Sequence, residues 1–292
     1  MANLKEIRSR ITSVNSTRQI TSAMKMVSAA KLKRAHDAIA QMRPYADKLQ
    51  GILANVSGSL DSSEDVYSAE RPVKNVLFVA FTSNRGLCGG FNNNVIKKTN
   101  ALLNEHKDYN VQVLSVGKKA FDLYKKSTNH ASPEAGYPET PHDIYGDVSF
   151  AASSAIAELV MSKYVAGEFD KVVLVYNSFK NAAVQEIQAK QFLPLVPLEI
   201  EENTASAEYI FEPSKTEIIE GLIPKSLRIQ FYSALLDTIA GEHGARMTAM
   251  HKATDNASDL LKELKLTYNK ARQASITNEI LEIVGGAEAL KN

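Results

Sequence analysis

The stretch whose residue types come nearest to chemistry is Gly86-Leu87-Cys88-Gly89-Gly90, a glycine-rich turn between an apolar run and a helical pattern, where phosphate-binding loops sit. It matches neither G-x-x-x-x-G-K-S/T nor G-x-G-x-x-G, and no Lys-Ser/Thr pair follows. The composition reads first as a tight strand-to-helix turn in which glycine supplies a positive φ, with nucleotide binding as the alternative. Cys88 lies in that turn without a histidine nearby in sequence, so it reads as a small packed thiol before it reads as a nucleophile. His243 and His251 share a helical segment, but eight residues separate them and no H-E-x-x-H is present, so no metal site is expected. The acidic residues are scattered and no pair is placed for acid/base work. No catalytic constellation and no cofactor site emerge.

Composition narrows the classes further. With 292 residues, 44% of them hydrophobic, the chain can bury one substantial core, or one core and a long helical appendage. A single cysteine excludes an internal disulfide and fits a reducing compartment. No stretch reaches the roughly 18 uncharged apolar residues of a membrane span; Val148 to Gly167 comes nearest and contains Glu158 and Lys163. The net charge of +1 conceals an asymmetry: residues 1–50 carry ten Lys/Arg against three Asp/Glu, giving +7, whereas residues 226–292 carry eight of each. A basic helix on a near-neutral protein suggests an acidic partner. It would also suit a coiled-coil nucleic-acid binder, but Tyr45 is the one aromatic in the first fifty residues, and stacking platforms need more.

The ends of the chain carry its clearest periodicity. Met247, Met250, Thr254, Ala257, Leu261, Leu264, Tyr268, Ala271, Ser275 and Asn278 fall on an unbroken 3-4 spacing, a heptad seam that demands a partner helix. No proline interrupts Ser226 to Val284, and at 1.5 Å per residue that stretch makes a helix on the order of 90 Å long. The seam turns small and polar at Ser275 and Asn278, leaving Ile276, Ile280, Leu281, Ile283 and Val284 on other faces, as if something outside the chain surrounds the tip. Leu4, Ile7, Ile11, Val14, Arg18, Thr21, Lys25, Ser28, Leu32, Ala35, Ile39, Met42, Ala46, Leu49, Leu53 and Val56 repeat the same period. Two such helices most simply pair antiparallel. Between Arg18 and Ser28 the seam is polar and Ile20, Met24 and Val27 form a separate apolar face, a neck expected to touch something else. Pro44 is expected to kink the helix without ending it. The basic, serine-bearing, acid-poor start could pass for a transit peptide, but the heptad running on for some fifty residues reads as a helix instead.

The centre changes style. Val76 to Phe81, Val111 to Val116 and Val172 to Phe179 read as buried strands, and Val184 to Leu193 as a further one. Helical patterns lie between them at Asn93 to His106, Lys118 to Lys126 and Val148 to Ala166. Alternation of this kind predicts a small α/β domain with a mostly parallel sheet. The expected plan is an α/β head with a long antiparallel coiled coil formed by the N- and C-terminal helices. Its parts are an N-terminal helix over 1–57, a linker over 58–72, the α/β domain over 73–200, a linker or foot over 201–225, a C-terminal helix over 226–285, and a tail over 286–292.

Four segments carry a resemblance: Ile7 to Ala35 (IRSRITSVNSTRQITSAMKMVSAAKLKRA), Arg43 to Ala46 (RPYA), Arg85 to Asn92 (RGLCGGFN) and Ala245 to Ala287 (ARMTAMHKATDNASDLLKELKLTYNKARQASITNEILEIVGGA). In order, over nearly the whole length, they resemble the gamma subunits of F-type ATP synthases. The match is loose at 58–70, 127–145 and 199–207. Asn84 stands where many relatives carry aspartate, and the cysteine pair of plastid relatives is missing, so their thiol control is not expected. Taken with the helical start, the resemblance points to a bacterial enzyme at the cytoplasmic side of the inner membrane.

That resemblance implies a non-catalytic central shaft. Its coiled coil would stand inside a ring of alternating alpha and beta subunits, with its α/β domain at the foot against the epsilon subunit and the ring of membrane-embedded c subunits. By match to the family's motifs, Met24 and Lys25 at the neck, with Arg246 facing them, are expected to contact the acidic segment of beta. Arg272, Gln273 and Thr277 would form a polar catch higher in the ring, and Ile280 to Val284 the tip in an apolar sleeve. Tyr209 and Glu212 fall where the family's foot meets the c ring. Neither a nucleic-acid partner nor a transmembrane segment is implied.

Overall fold

The computed structural model describes residues 4–57, 66–69, 71–133, 136–138, 141–146, 148–195 and 215–289. In chain order the elements are α1 (Leu4–Ser57), β1 (Asn75–Phe81), α2 (Phe91–Glu105), β2 (Asn110–Val116), α3 (Lys118–Tyr124), a 3-10 turn (Pro141–Tyr145), α4 (Phe150–Val165), β3 (Lys171–Phe179), β4 (Gln185–Leu193) and α5 (Lys215–Ala289). Two compact units result, Met1–Ser28 with Met247–Asn292, and Ala29–Arg246.

The larger unit is built on a four-stranded sheet in the order β2-β1-β3-β4. β1 pairs in parallel with β2, Phe78 opposite Val113, and with β3, Leu77 opposite Val172. β4 closes the sheet antiparallel to β3. Because β1 is central and parallel on both sides, both its faces are covered, which is why Val76 to Phe81 are all apolar and all buried. Leu77, Val79 and Phe81 face a core with α1, α4 and α5, while Val76, Phe78 and Ala80 face a second core with Val95, Leu102, Ala120 and Tyr124 from α2 and α3. Phe231 of α5 sits at the centre of the first core, its ring 5.1 Å from Phe81 and 6.1 Å from Phe192. Ala35, Ile39, Leu49 and Leu53 bring the second half of α1 into the same core. The α4 helix starts at Ser149, whose hydroxyl accepts from the Ala152 amide at 3.2 Å, closing one of the donors that a helix start leaves open.

In the smaller unit the first half of α1 and the second half of α5 pair antiparallel. Arg8 Nη2 donates to the Tyr268 hydroxyl at 2.7 Å and the Thr21 and Thr254 hydroxyls meet at 2.8 Å, so 13 residues forward along α1 (21 − 8) match 14 backward along α5 (268 − 254). The heptad positions are the covered ones: Ile7, Thr21 and Ser28 on α1, and Met250, Ala257 and Leu261 on α5, are buried.

One feature differs from the sequence reading. α5 begins at Lys215, within the stretch expected to be linker or foot, and contains Pro224. Proline forfeits a helical hydrogen bond, but Ile223 and Leu227 on either side of Pro224 are buried, and their packing holds the turn helical. As expected, α1 continues through Pro44 without ending there.

Candidate functional site

The chemistry-bearing turn after β1 is held from several sides. Ser83 Oγ donates to the Arg85 carbonyl at 2.6 Å, the Ser83 amide donates to Asn92 Oδ1 at 2.9 Å, and Asn92 Nδ2 donates to Cys88 Sγ at 3.2 Å. Gly89 takes the left-handed backbone that the glycine content predicted (φ 60°), and so does Leu87 (φ 61°), which no glycine pattern announced. The turn is not an anion cradle. Such loops aim backbone N–H groups inward, whereas here the carbonyls of Arg85 and Gly86 converge on a cation.

That cation is Arg246. Its Nη2 donates to the Arg85 carbonyl at 3.0 Å and to the Gly86 carbonyl at 3.2 Å, its Nε reaches the Gly86 carbonyl at 3.3 Å, and its Nη1 pairs with Glu242 Oε1 at 2.8 Å. Both side chains of the pair are about nine-tenths covered. Burial pushes the Glu242 carboxyl above its ordinary range, against the pull of Arg246. Burial lowers His243 to about 4, helped by Arg246 and Lys31, so that imidazole is neutral at pH 7. Burial also raises the Cys88 thiol, which makes it a poor nucleophile. His251 is exposed and sits 3.2 Å from Asp255. Among the described residues no group of three His, Cys, Asp or Glu could hold a metal, and no helix is long and apolar enough to cross a membrane.

In the smaller unit the expected contact residues lie on the outside of the helix pair. Met24 and Lys25 are half-buried, whereas Ile20, Met26 and Val27 are exposed by more than half. Beside them an open groove of about 330 Å³ is lined by Arg18, Ser22, Ala23, Met26, Thr254 and Ser258, among others. From the pairing of Arg8 with Tyr268, Leu4 falls opposite about residue 272, since a coiled-coil mate recedes residue for residue. Beyond that point α5 has no partner helix among the described residues. Arg272, Gln273 and Thr277 are exposed, with the Thr277 hydroxyl bonded back to the Gln273 carbonyl at 2.9 Å. Ile280 and Val284 are 54% and 60% exposed, with Leu281 and Ile283 between them still more so. Tyr209 and Glu212 lie outside the described residues.

Arg246 thus occupies a different position from the other predicted contact residues, being turned inward and 7% exposed. Sequence reasoning missed both its carbonyl partners and the left-handed Leu87. The run of three glycines around Leu87 was the one available signal.

The comparisons bear on what such a helix pair belongs to. A family model described as ATP synthase matches residues 3–290. The ATP synthase gamma chain of Christiangramia forsetii is 58% identical over 99% of both chains, and that of Flavobacterium johnsoniae 56% identical over 99% of both. Among solved structures, the fold resembles a chain of the Euglena gracilis mitochondrial ATP synthase rotor (TM-score 0.65, 22% identity, 94% of this chain and 98% of that one). It also resembles a chain of the Tetrahymena thermophila mitochondrial ATP synthase central stalk and c ring (TM-score 0.56, 24% identity, 80% and 99%). A paired-helix fold with an α/β unit, matched end to end by these relatives, places the chain in the ATP synthase gamma chain family.

Proposed function

We propose that this chain is the central rotary shaft of a bacterial F-type ATP synthase, carrying torque between the proton-driven c ring and the alpha/beta hexamer. The chain performs no catalysis itself: ATP is made or split on the surrounding subunits, and the shaft biases which of their sites is open. Alpha, beta and epsilon subunits and the c ring are the partners, with the complex seated on the cytoplasmic face of the inner membrane. Tyr209 and Glu212 are the expected foot contacts with the c ring.

The observation that carries this reading is the lopsided surface of the smaller unit. One helix outruns the other, so exposed apolar side chains occupy the tip and a separate apolar face marks the neck. A single chain within a ring of three equivalent sites must present a different face to each. Moving a site from 1:99 to 99:1 between two conformations takes about 5.5 kcal/mol of differential interaction. A shaft supplies it by clashing with one state and leaving the other free, and rotation carries that bias to the next site. Two supercoiled helices suit the task because each resists unwinding of the other.

The test mixes the purified chain with alpha and beta subunits. A stable complex with cooperative ATP hydrolysis is expected. Failure of the chain to join the hexamer, or hydrolysis indifferent to its presence, refutes the reading.

A further inference from the structure

Glycine inside a helix weakens it, so its presence there points to a neighbour that leaves no room for a Cβ. α5 carries two such residues on the stripe Asp237, Gly241 and Gly244, whose 4-3 spacing puts them on one face of the helix. A Cβ at 244 would stand 3.1 Å from Ala182 Cα and 3.2 Å from the Ala182 carbonyl oxygen. One at 241 would stand 3.0 Å from Phe91 Cε2 and 3.3 Å from Gln185 Cγ. By contrast, a Cβ at Gly221, Gly285 or Gly286 of the same helix would meet nothing within 4 Å. All the contacting residues belong to the sheet-bearing unit, whose last residue on α5 is Arg246.

What faces the stripe is braced from behind. Ala182 lies in the turn between β3 and β4, where Asn181 Oδ1 accepts from the amides of Ala183 and Val184, both at 2.9 Å. Gln185 Nε2 donates to the Ala182 carbonyl at 3.2 Å, so the oxygen nearest Gly244 is itself held. Phe91 opens α2 and is buried, and its carbonyl accepts from Asn177 Nδ2 of β3 at 3.2 Å. One turn before Gly241, Ser178 Oγ donates to Asp237 at 3.3 Å. At Gly244 the helix therefore meets the end of the β3–β4 hairpin backbone to backbone, with no rotatable side chain between them. Such a contact is stiff, because close-packed atoms transmit strain whereas a long side chain yields by changing rotamer.

We propose that Gly241 and Gly244 are positioning residues that key α5 to the β3–β4 hairpin, so that a torque on the sheet-bearing unit turns the helix through backbone contact. This rests on the shaft reading and deepens it by naming where the sheet takes hold of the shaft helix. A torque about a helix axis is carried by whatever touches the helix off that axis, and the hairpin does so at two points three residues apart. A seat that served packing alone would change stability when disturbed. A seat that keys the helix changes coupling as well.

Gly244→Ala drives a Cβ into the backbone of the turn, and Asn181→Ala loosens the turn while leaving the sequence of α5 as it is. In the isolated chain, each should speed amide hydrogen exchange across residues 179–186 by about fivefold or more, under conditions where circular dichroism shows the helices intact. In the assembled enzyme, each should lower ATP-driven proton pumping per ATP hydrolysed about twofold or more. Gly241→Ala, whose near neighbours are side-chain atoms, should lose less. Ser149→Ala removes the cap of α4 and lowers the thermal midpoint away from the seat, so it should pump at the wild-type ratio. Asn181→Ala carries the test where Gly244→Ala does not fold. Wild-type exchange in the hairpin of both variants would overturn the seat. Faster exchange with pumping at the wild-type ratio, or an equal fall in Ser149→Ala, would overturn the keying role. A wild-type chain that fails to assemble with alpha and beta overturns the shaft reading instead, and the exchange result still decides the seat.

Discussion

Replacing Asp237 with asparagine should stabilise the sheet-bearing unit above pH 6. The carboxylate lies on α5 against β3, where Ser178 Oγ donates to it at 3.3 Å, and Tyr176 stands two residues earlier on the same strand. Burial pushes its pKa from 3.8 up to about 6, and the Ser178 hydroxyl and the Arg43 charge on α1 recover only part of that. The phenol of Tyr176 is raised in turn, by burial first and by the Asp237 charge second. Since the folded pKa is the higher one, the unfolded chain releases its proton first as pH rises. Stability is therefore lost between pH 3.8 and 6 and stays lost above. A pKa difference of about 2.2 (6 − 3.8) at 1.36 kcal/mol each corresponds to roughly 3 kcal/mol, and partial solvent access reduces this to about 1–3 kcal/mol. About half of it is present at pH 5 and nearly all by pH 7. Asparagine keeps an acceptor for Ser178 and carries no charge to bury. Urea unfolding of wild type and Asp237→Asn across pH 4.5 to 8 isolates the effect, because the other titrating groups cancel in the difference. The variant's advantage should grow with pH and level off near 7. An advantage that is flat in pH, or a wild type favoured at pH 8, refutes the reasoning.

Three further outcomes follow from particular residues. Gly117→Ala should cost more than about 3 kcal/mol, because at φ 126° its Cβ would stand 1.9 Å from the Thr82 carbonyl oxygen. That residue is pinned through its amide to Val116 and through its hydroxyl to Ala120, both at 2.9 Å, so a thermal melt within about 1 kcal/mol of wild type would show the turn can yield. Met24→Arg adds a fixed charge to an already basic neck and should lower coupled proton pumping more than ATP hydrolysis; equal losses, or none, measured on membrane vesicles, count against a neck contact. Removing the residues after Leu281 should be tolerated in hydrolysis assays of the assembled enzyme, and complete loss of activity would make the tip essential.

What was legible in the sequence was whatever depends on neighbours three or four residues away. The heptad positions from Met247 to Ser275, and from Leu4 to Leu53, are buried or half-buried, because a helix must turn one stripe toward its mate and the stripe's period is a local property. Asn278 keeps the period and is exposed, because α1 has by then run out. The central strand was legible for a related reason: a run of six apolar residues can satisfy a parallel sheet only if both faces are covered. β4 could be placed but not oriented, since direction depends on which edge the chain returns to, and no local pattern encodes that. Arg246 is the instructive case. The match to the family's motifs marks it as a neck contact facing Met24 and Lys25. Its carbonyl partners lie some 160 residues away in the chain, and they turn it into an internal clamp. A charge inventory cannot distinguish a guanidinium offered to solvent from one consumed by the fold, and only the former attracts a partner over distance. Arg85, Lys118, Lys119 and Arg272 are cations left uncovered, whereas Arg246 is spent inside the fold on Glu242 and on two backbone carbonyls, so counting it with them overstates the charge that this chain offers to solvent.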